Sequence, residues 1–364
     1  MIKKMLFISS TDINETNFGG NICSYRNYKI MENFFLIDLI NFSKLDNKNQ
    51  FKAPKNKFFT LLNNIFNYAG LLTYSSEKMI LDSIKKKKYE IIFLESSNFG
   101  KLAKKIKKIN NNIKIITFFQ NIEYDFIKSR IKREGKIYYI QLKATYYNEK
   151  LAVKFSDYLI TLNNRDSGRL LEKYGRNSNF ELPITLNDKV IKNNFKIENS
   201  YILFVGSLFF ANYYGIKWFI ENVMPYIEDK KLLIVGKGFE KKKKELQRKN
   251  VEVIGTVNNL EKYYTNAICM VMPIFDGAGM KVKTAEAMMY GKTIYGTKEA
   301  FEGYDVDYEK IGGLCQTEKD FIDKINKDKG IKFNFYSRKK FEEKYSNESA
   351  LKSMDIFLKE NDLI

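Results

Sequence analysis

The chain has 364 residues, an apolar share of 44% and a net charge of +19, from 62 Lys and Arg against 43 Asp and Glu. That length holds two domains with separate cores, and the apolar share excludes a disordered or fibrous chain. Three scattered cysteines (Cys23, Cys269, Cys315) and the lack of any histidine give no support to a disulfide framework or a zinc cage, and no apolar run reaches the ~18 residues of a membrane span.

The opening MIKKMLFISS has two lysines and a short apolar run but no small-residue cleavage site, so it reads as a first strand over 5–9 rather than a signal peptide. From the cysteine usage a cytoplasmic location is expected. Strand-like runs continue at 91–95, 113–119 and 158–162, alternating with helical patterns, which predicts βα units around a parallel sheet. The stretch 183–200 is polar and loses periodicity, and a linker is placed at 186–200. Strands then resume at 201–205, 232–235, 251–254 and 268–272, with a helix over 214–226 between the first two. A last helical stripe carries Leu351, Met354, Ile356, Phe357 and Leu358. The predicted fold is α/β, with domains over 1–185 and 201–345 and a terminal helix in 346–364.

Ligands of parallel α/β sheets sit beyond the carboxyl ends of the strands, so the loops there hold the candidate site. After the first strand, Asn17-Phe18-Gly19-Gly20 can bring backbone toward a diphosphate or an acceptor. Gln120, Asn121 and Glu123 follow the strand over 113–119, and Gly206-Ser207 follows the one over 201–205.

The richest loop is VMPIFDGAGMKVKTAEAMMYG, residues 271–291. Pro273 stops a buried strand, two glycines follow, and 280–290 contains good helix formers, so a helix is expected to start at the glycines. Its N-terminus would aim the backbone of Gly277, Ala278, Gly279 and Met280 at an anion, with Lys281 and Lys283 adding charge in the first turn. Phosphate is the natural occupant. Glu286, two turns past Gly279, would reach a ribose instead.

The segment KSRIKREGKIYYIQLKATYYNEK (128–150) mixes Lys and Arg with Ile, Tyr and Leu, and together with 52–74 it can lie on an anionic bilayer. The lysine runs at 85–88 and 241–244 read as solvated faces. The positive charge favours polyanions, but no helix-turn-helix, zinc finger or RNP-like motif appears, and nucleic acid is not an expected partner.

The run PIFDGAGMKVKTAEAMMYGKTIYGT, preceded by FVGSLFFANYYGIKWFIENVMPYI (204–227) and LLIVGKG (232–238), resembles the donor-binding half of family 4 (group 1) glycosyltransferases. FFQNIEYDF (118–126) resembles the family's HNxEYD segment, and LNNRDSGRLLEKYG (162–175) supplies a fourth block in the same order. The resemblance implies the GT-B architecture: two facing Rossmann-like domains, a cleft between them, and a terminal helix crossing back to the first. It also implies transfer with retention of anomeric configuration, no required cofactor, and no structural metal.

The donor so implied is a nucleotide sugar, a UDP-sugar first. The acceptor is a glycan or lipid-linked glycan in the assembly of a surface polysaccharide such as capsule or lipopolysaccharide, at the cytoplasmic membrane face. By the same resemblance Lys283 and Lys281 neutralise the leaving diphosphate and Glu123 positions an acceptor hydroxyl. Gln120 and Asn121 contact a sugar, and Gly19, Gly20, Gly206, Ser207, the 277–280 backbone and Glu286 hold the donor.

Two departures stand out. Ala278 occupies the place of the first acid of the family's E-x7-E pattern, and Gln120 that of its histidine. Gln120 can still hydrogen-bond a hydroxyl but cannot titrate near neutral pH. Three other readings remain: a GT-B sugar-nucleotide epimerase, a basic nucleic-acid-binding or DNA-glycosylating protein, and an inactive partner subunit.

Overall fold

The structure, a computed structural model, describes residues 2–13, 19–43, 50–52, 57–190, 201–277, 279–328, 330 and 333–364. The chain packs as two units, Met1–Pro183 with Ala350–Ile364, and Ile184–Ser349.

The first unit is built on seven strands: β1 (Lys4–Ser9), β2 (Leu36–Ser43), β3 (Gln50–Lys52), β4 (Ile91–Glu95), β5 (Lys114–Phe119), β6 (Tyr158–Thr161) and β7 (Phe180–Glu181). They pair in parallel in the order β3-β2-β1-β4-β5-β6-β7. The central strands KMLFIS, IIFLE and KIITFF are nearly continuous apolar runs because helices cover both faces of such a sheet. Phe7 pairs in register with Leu39 and Phe93, and its ring stacks on Phe93 at 4.8 Å. In this unit the sequence reading missed β2, β3 and β7, as it missed the two short strands Thr293–Gly296 and Gly312–Leu314 of the second unit. Polar Asp38 and Asn41 interrupt β2, and β3 and β7 span only three and two residues.

The second unit holds β8 (Tyr201–Val205), β9 (Lys231–Val235), β10 (Val251–Gly255), β11 (Ala267–Met272), β12 (Thr293–Gly296) and β13 (Gly312–Leu314). Their order is β10-β9-β8-β11-β12-β13, again parallel. Its core joins Phe204, Ile216, Phe219, Ile234, Val271 and Phe321. The helix expected over 214–226 instead covers Phe210–Asn222 and ends in a tight turn, Met224–Tyr226, where Pro225 has no amide to continue it. Gly215 in that helix is required, since a Cβ there would lie 1.8 Å from the Pro273 carbonyl oxygen. The helix is thereby pressed onto the loop that leaves β11.

In each sheet the connections reverse direction at one place, between β1 and β4 and between β8 and β11. Such switch points open a crevice at the strand ends, so the loops after these four strands are the ones a ligand can reach.

Of the expected linker, residues 186–190 belong to the second unit, where Leu186 N–H donates to Tyr345 O at 2.9 Å and Asp188 pairs with Arg338. Residues 191–200 lie outside the described residues, as do Asn17 and Phe18. The terminal helix runs Asn347–Glu360, and in the first unit its Phe357 stacks on Phe180 at 4.7 Å and meets Tyr158 edge-on at 5.6 Å.

Candidate functional site

In the second unit the site is made by the turns after β8 and β9 and by the loop and helix after β11. Gly206 follows β8, and its N–H donates to Val235 O at 3.0 Å. A Cβ on Gly236, whose φ is +146°, would fall 1.8 Å from the Gly206 carbonyl oxygen, so these two turns touch backbone to backbone. A Cβ on Gly206 would fall 2.8 Å from Asn212 Nδ2 and 2.9 Å from Lys283 Nζ. The glycine leaves room for the lysine amine.

Lys283 is the second residue of the helix Val282–Met289. Its Nζ donates to Asn212 Oδ1 at 2.7 Å and stands 4.7 Å over the Phe204 ring. Asn212 Nδ2 donates in turn to the Ser207 carbonyl at 2.9 Å, so one amide ties the β8 loop to the lysine. Ser207 itself is exposed. Burial pushes the Lys283 amine down to about 7, against a smaller opposing pull from Glu286 and with a push from Lys281.

The expected helix start needs correction. Gly279 has φ +68° and Lys281 is extended (φ −94°, ψ 111°), so neither can belong to the helix, which begins at Val282 with Lys281 as its cap. That cap makes no side-chain hydrogen bond to the first turn. Gly277 is exposed, Gly279 and Met280 are buried, and Ala278 lies outside the described residues. Lys281 does not stand in the first turn as an open charge. Its Nζ pairs with Glu299 at 2.6 Å and donates to Gly279 O at 2.7 Å, pinning the loop. Glu286 therefore lies only about one turn into the helix. Its Oε2 accepts from Tyr264 OH at 2.9 Å, burial raises its carboxyl, and the Tyr264 ring stacks on Tyr290 at 4.9 Å. Beside the loop, Phe275, Thr297, Glu299 and Gln316 line a cavity of about 280 Å³ at the ends of β11, β12 and β13.

The first unit carries its own polar cavity, about 180 Å³, lined by Ser10, Glu95, Ser96, Asn98, Gln120 and Glu123 among others, from the loops after β1, β4 and β5. Glu95 ends β4 fully buried, accepting from Asn27 Nδ2 at 3.0 and 3.1 Å and from Gln120 Nε2 at 3.2 Å. Gln120 also donates to Ser24 Oγ at 2.9 Å. Burial lifts Glu95 to about 7 against those hydrogen bonds and the Arg26 charge.

Glu123 opens the helix Glu123–Glu134 and is likewise lifted to about 7 by burial, opposed by a bond from Asn121. The amides of Glu123 and Tyr124 are capped from a distance by Glu149, at 2.9 and 3.1 Å. Tyr174 OH donates to the same carboxylate at 2.7 Å. Gly19 and Gly20 start the helix Gly19–Met31.

Sequence reasoning missed Glu95, Glu149, Asn212, Tyr264 and Glu299. Glu95 had a signal, a charge at the carboxyl end of the apolar run IIFLE. The others act on partners 18 to 71 residues away, and spacing cannot reveal such pairings.

Chemically, the second unit offers an anion a glycine-lined backbone, a helix start without a side-chain cap bond and a lysine amine held by a neutral amide. The first offers hydroxyl, amide and carboxyl groups suited to a polyhydroxylated molecule.

Residues 199–327 match the family model described as Glycosyl transferases group 1. A Klebsiella pneumoniae protein described as an uncharacterized 44.6 kDa protein in the cps region is 25% identical over 236 residues, 60% of this chain. The match spans 59% of that relative's length. Sucrose-phosphate synthase from Thermosynechococcus elongatus superposes with a TM-score of 0.72 at 13% identity, over 99% of both chains. HepE of Anabaena in complex with UDP superposes with a TM-score of 0.64 at 11% identity, over 98% of this chain and 100% of that one. At these identities the structural likeness establishes the fold, GT-B, and the family match is at the level of group 1.

Proposed function

We infer that this chain, whose residues 199–327 match the group 1 glycosyltransferase model, moves a sugar from a nucleotide donor onto a glycan or lipid-linked glycan, with retention of anomeric configuration. The observation that carries the reading is the Lys283 amine, held by Asn212 against Gly206 at the β8/β11 switch point. A lysine amine bonded to an uncharged amide, beside a helix start whose cap makes no side-chain hydrogen bond, is placed to take up a proton and meet an anion.

In this reading the donor diphosphate lies along Gly206, Lys283 and the Val282 helix start, with Glu286 on the ribose. The bond from the anomeric carbon to the diphosphate breaks as the acceptor oxygen bonds to the same face of that carbon. The acceptor proton passes to a diphosphate oxygen, so no protein base is needed. What the protein supplies is orientation and neutralisation of the charge growing on the leaving group. Lys281, tied to Glu299, holds the loop in place. In the first unit Gln120, Asn121 and Glu123 would orient the acceptor or the transferred sugar. UDP is favoured as the nucleotide because HepE, of the same fold, binds it, and a role in surface polysaccharide assembly is favoured by the relative from a cps region.

The test is a panel of UDP- and GDP-sugars offered to the purified chain. Thermal shift should single out one donor, since a ligand at about 100 times its Kd adds roughly 2.7 kcal/mol. That donor should also be slowly hydrolysed to free nucleoside diphosphate. No shift and no release across the panel would overturn the assignment.

A further inference from the structure

The helix Lys57–Ile65 is inverted relative to an ordinary surface helix. Phe58, Leu61 and Ile65 share one face by their spacing and are 64%, 38% and 53% exposed, with Phe59 at 55% and Phe66, just past the end, at 66%. Asn64 faces inward at 8%. The helix packs against the helix Tyr139–Phe155, so the aromatic side chains are not exposed for lack of a neighbour to bury against. At the start of that second helix Ile137, Tyr139 and Ile140 are exposed as well.

Charge gathers around the same elements. Lys128, Lys132, Lys136 and Lys143 are exposed, residues 126–148 hold six Lys and Arg against the single acid Glu134, and residues 57–66 hold no acid at all. An apolar face alone would suit a protein partner. With exposed lysines on the neighbouring helices it would repel a second copy of itself, and it complements a surface that is apolar beneath and anionic on top.

We propose that this face docks on an anionic lipid bilayer, with Phe58, Phe59, Phe66 and Ile137 entering the headgroup–acyl boundary and the lysines meeting lipid phosphates. Among the described residues no helix is long and apolar enough to cross a membrane, so the contact is interfacial. The proposal does not depend on the sugar-transfer reading, and its test measures no catalysis.

The experiment is co-sedimentation of the full chain with phosphatidylcholine vesicles, with and without roughly one-third phosphatidylglycerol. The chain should pellet with the anionic vesicles, and less so as salt rises. Two triple variants, Phe58→Ser with Phe59→Ser and Ile137→Ser, and Lys128→Glu with Lys132→Glu and Lys136→Glu, should each raise the lipid needed for half-binding about tenfold or more. Both should unfold at the wild-type temperature, because the changed side chains are exposed. Wild-type protein left in the supernatant, or an apolar variant that pellets like wild type, overturns the proposal. So does a wild-type dimer that the apolar variant abolishes while vesicle binding persists.

Discussion

The Lys283 amine donates to Asn212 Oδ1 at 2.7 Å, and burial holds it down to about 7, far below an ordinary lysine. Near pH 8 the free protein then holds this amine mostly neutral, and a bound diphosphate should draw a proton onto it. Calorimetric titration with UDP in buffers of different ionisation enthalpy should register proton uptake, and affinity should fall as pH climbs above 7. Lys283→Ala should abolish the uptake and cost roughly 3 to 4 kcal/mol of transition-state stabilisation, a rate loss of about 10²- to 10³-fold. Unchanged turnover would remove Lys283 from the mechanism.

Glu286 and Tyr264 form a second pair, 2.9 Å apart, in which the carboxylate retains acceptor capacity for a ribose diol. A charge-assisted bond of this kind contributes about 1.5 to 3 kcal/mol, so Glu286→Ala should weaken nucleotide binding by roughly 10- to 100-fold. Tyr264→Phe should have a smaller effect, because it frees the carboxylate without removing it. Equal UDP affinity in wild type and Glu286→Ala would rule out the ribose role.

The donor loop was legible in the sequence because its chemistry is local: a proline ends the strand, glycines follow, and lysines sit beside them. Where the helix begins was not legible, since the left-handed turn at Gly279 is fixed with the help of Lys281 bridging to Glu299, 18 residues on. The same limit hid Asn212, 71 residues from the lysine it holds. Buried strands of five or six residues announced themselves as apolar runs, whereas the four-residue β12, TIYG, is buried throughout but too short and too polar at its ends to do so. β2 did not, because Asp38 turns to Tyr89 and Lys87 at the sheet margin and breaks the pattern.

The chain has no histidine, so its stability between about pH 5 and 9 is governed by groups moved into that window. Glu95, Glu123 and Glu149 are each lifted from 4.5 to about 7. Between those values the folded state keeps protons that the unfolded chain has released, so stability falls as pH rises. Lys283 and Lys292 are lowered from 10.5 to about 7 and about 8. Above those values the unfolded chain holds protons the folded state has lost, and stability rises again. The melting temperature should therefore pass through a minimum near neutral pH when scanned from about pH 5 to 9. Glu149→Gln should flatten the acid limb. A maximum at pH 7 would contradict this account.

Gly206 and Gly236 separate fold from function. Alanine at 236 would put a Cβ 1.8 Å from a backbone oxygen, at a φ of +146° that alanine avoids, and nothing there can move aside cheaply. Gly236→Ala should destabilise the protein by about 2 to 3 kcal/mol or more in denaturant unfolding. At 206 the nearest atoms are the ends of two flexible side chains, Asn212 and Lys283, at 2.8 and 2.9 Å. Gly206→Ala should therefore fold with nearly normal stability while prising the lysine from its amide, lowering UDP affinity about tenfold. If Gly206→Ala instead binds UDP as wild type does, the β8 turn is not part of the diphosphate site.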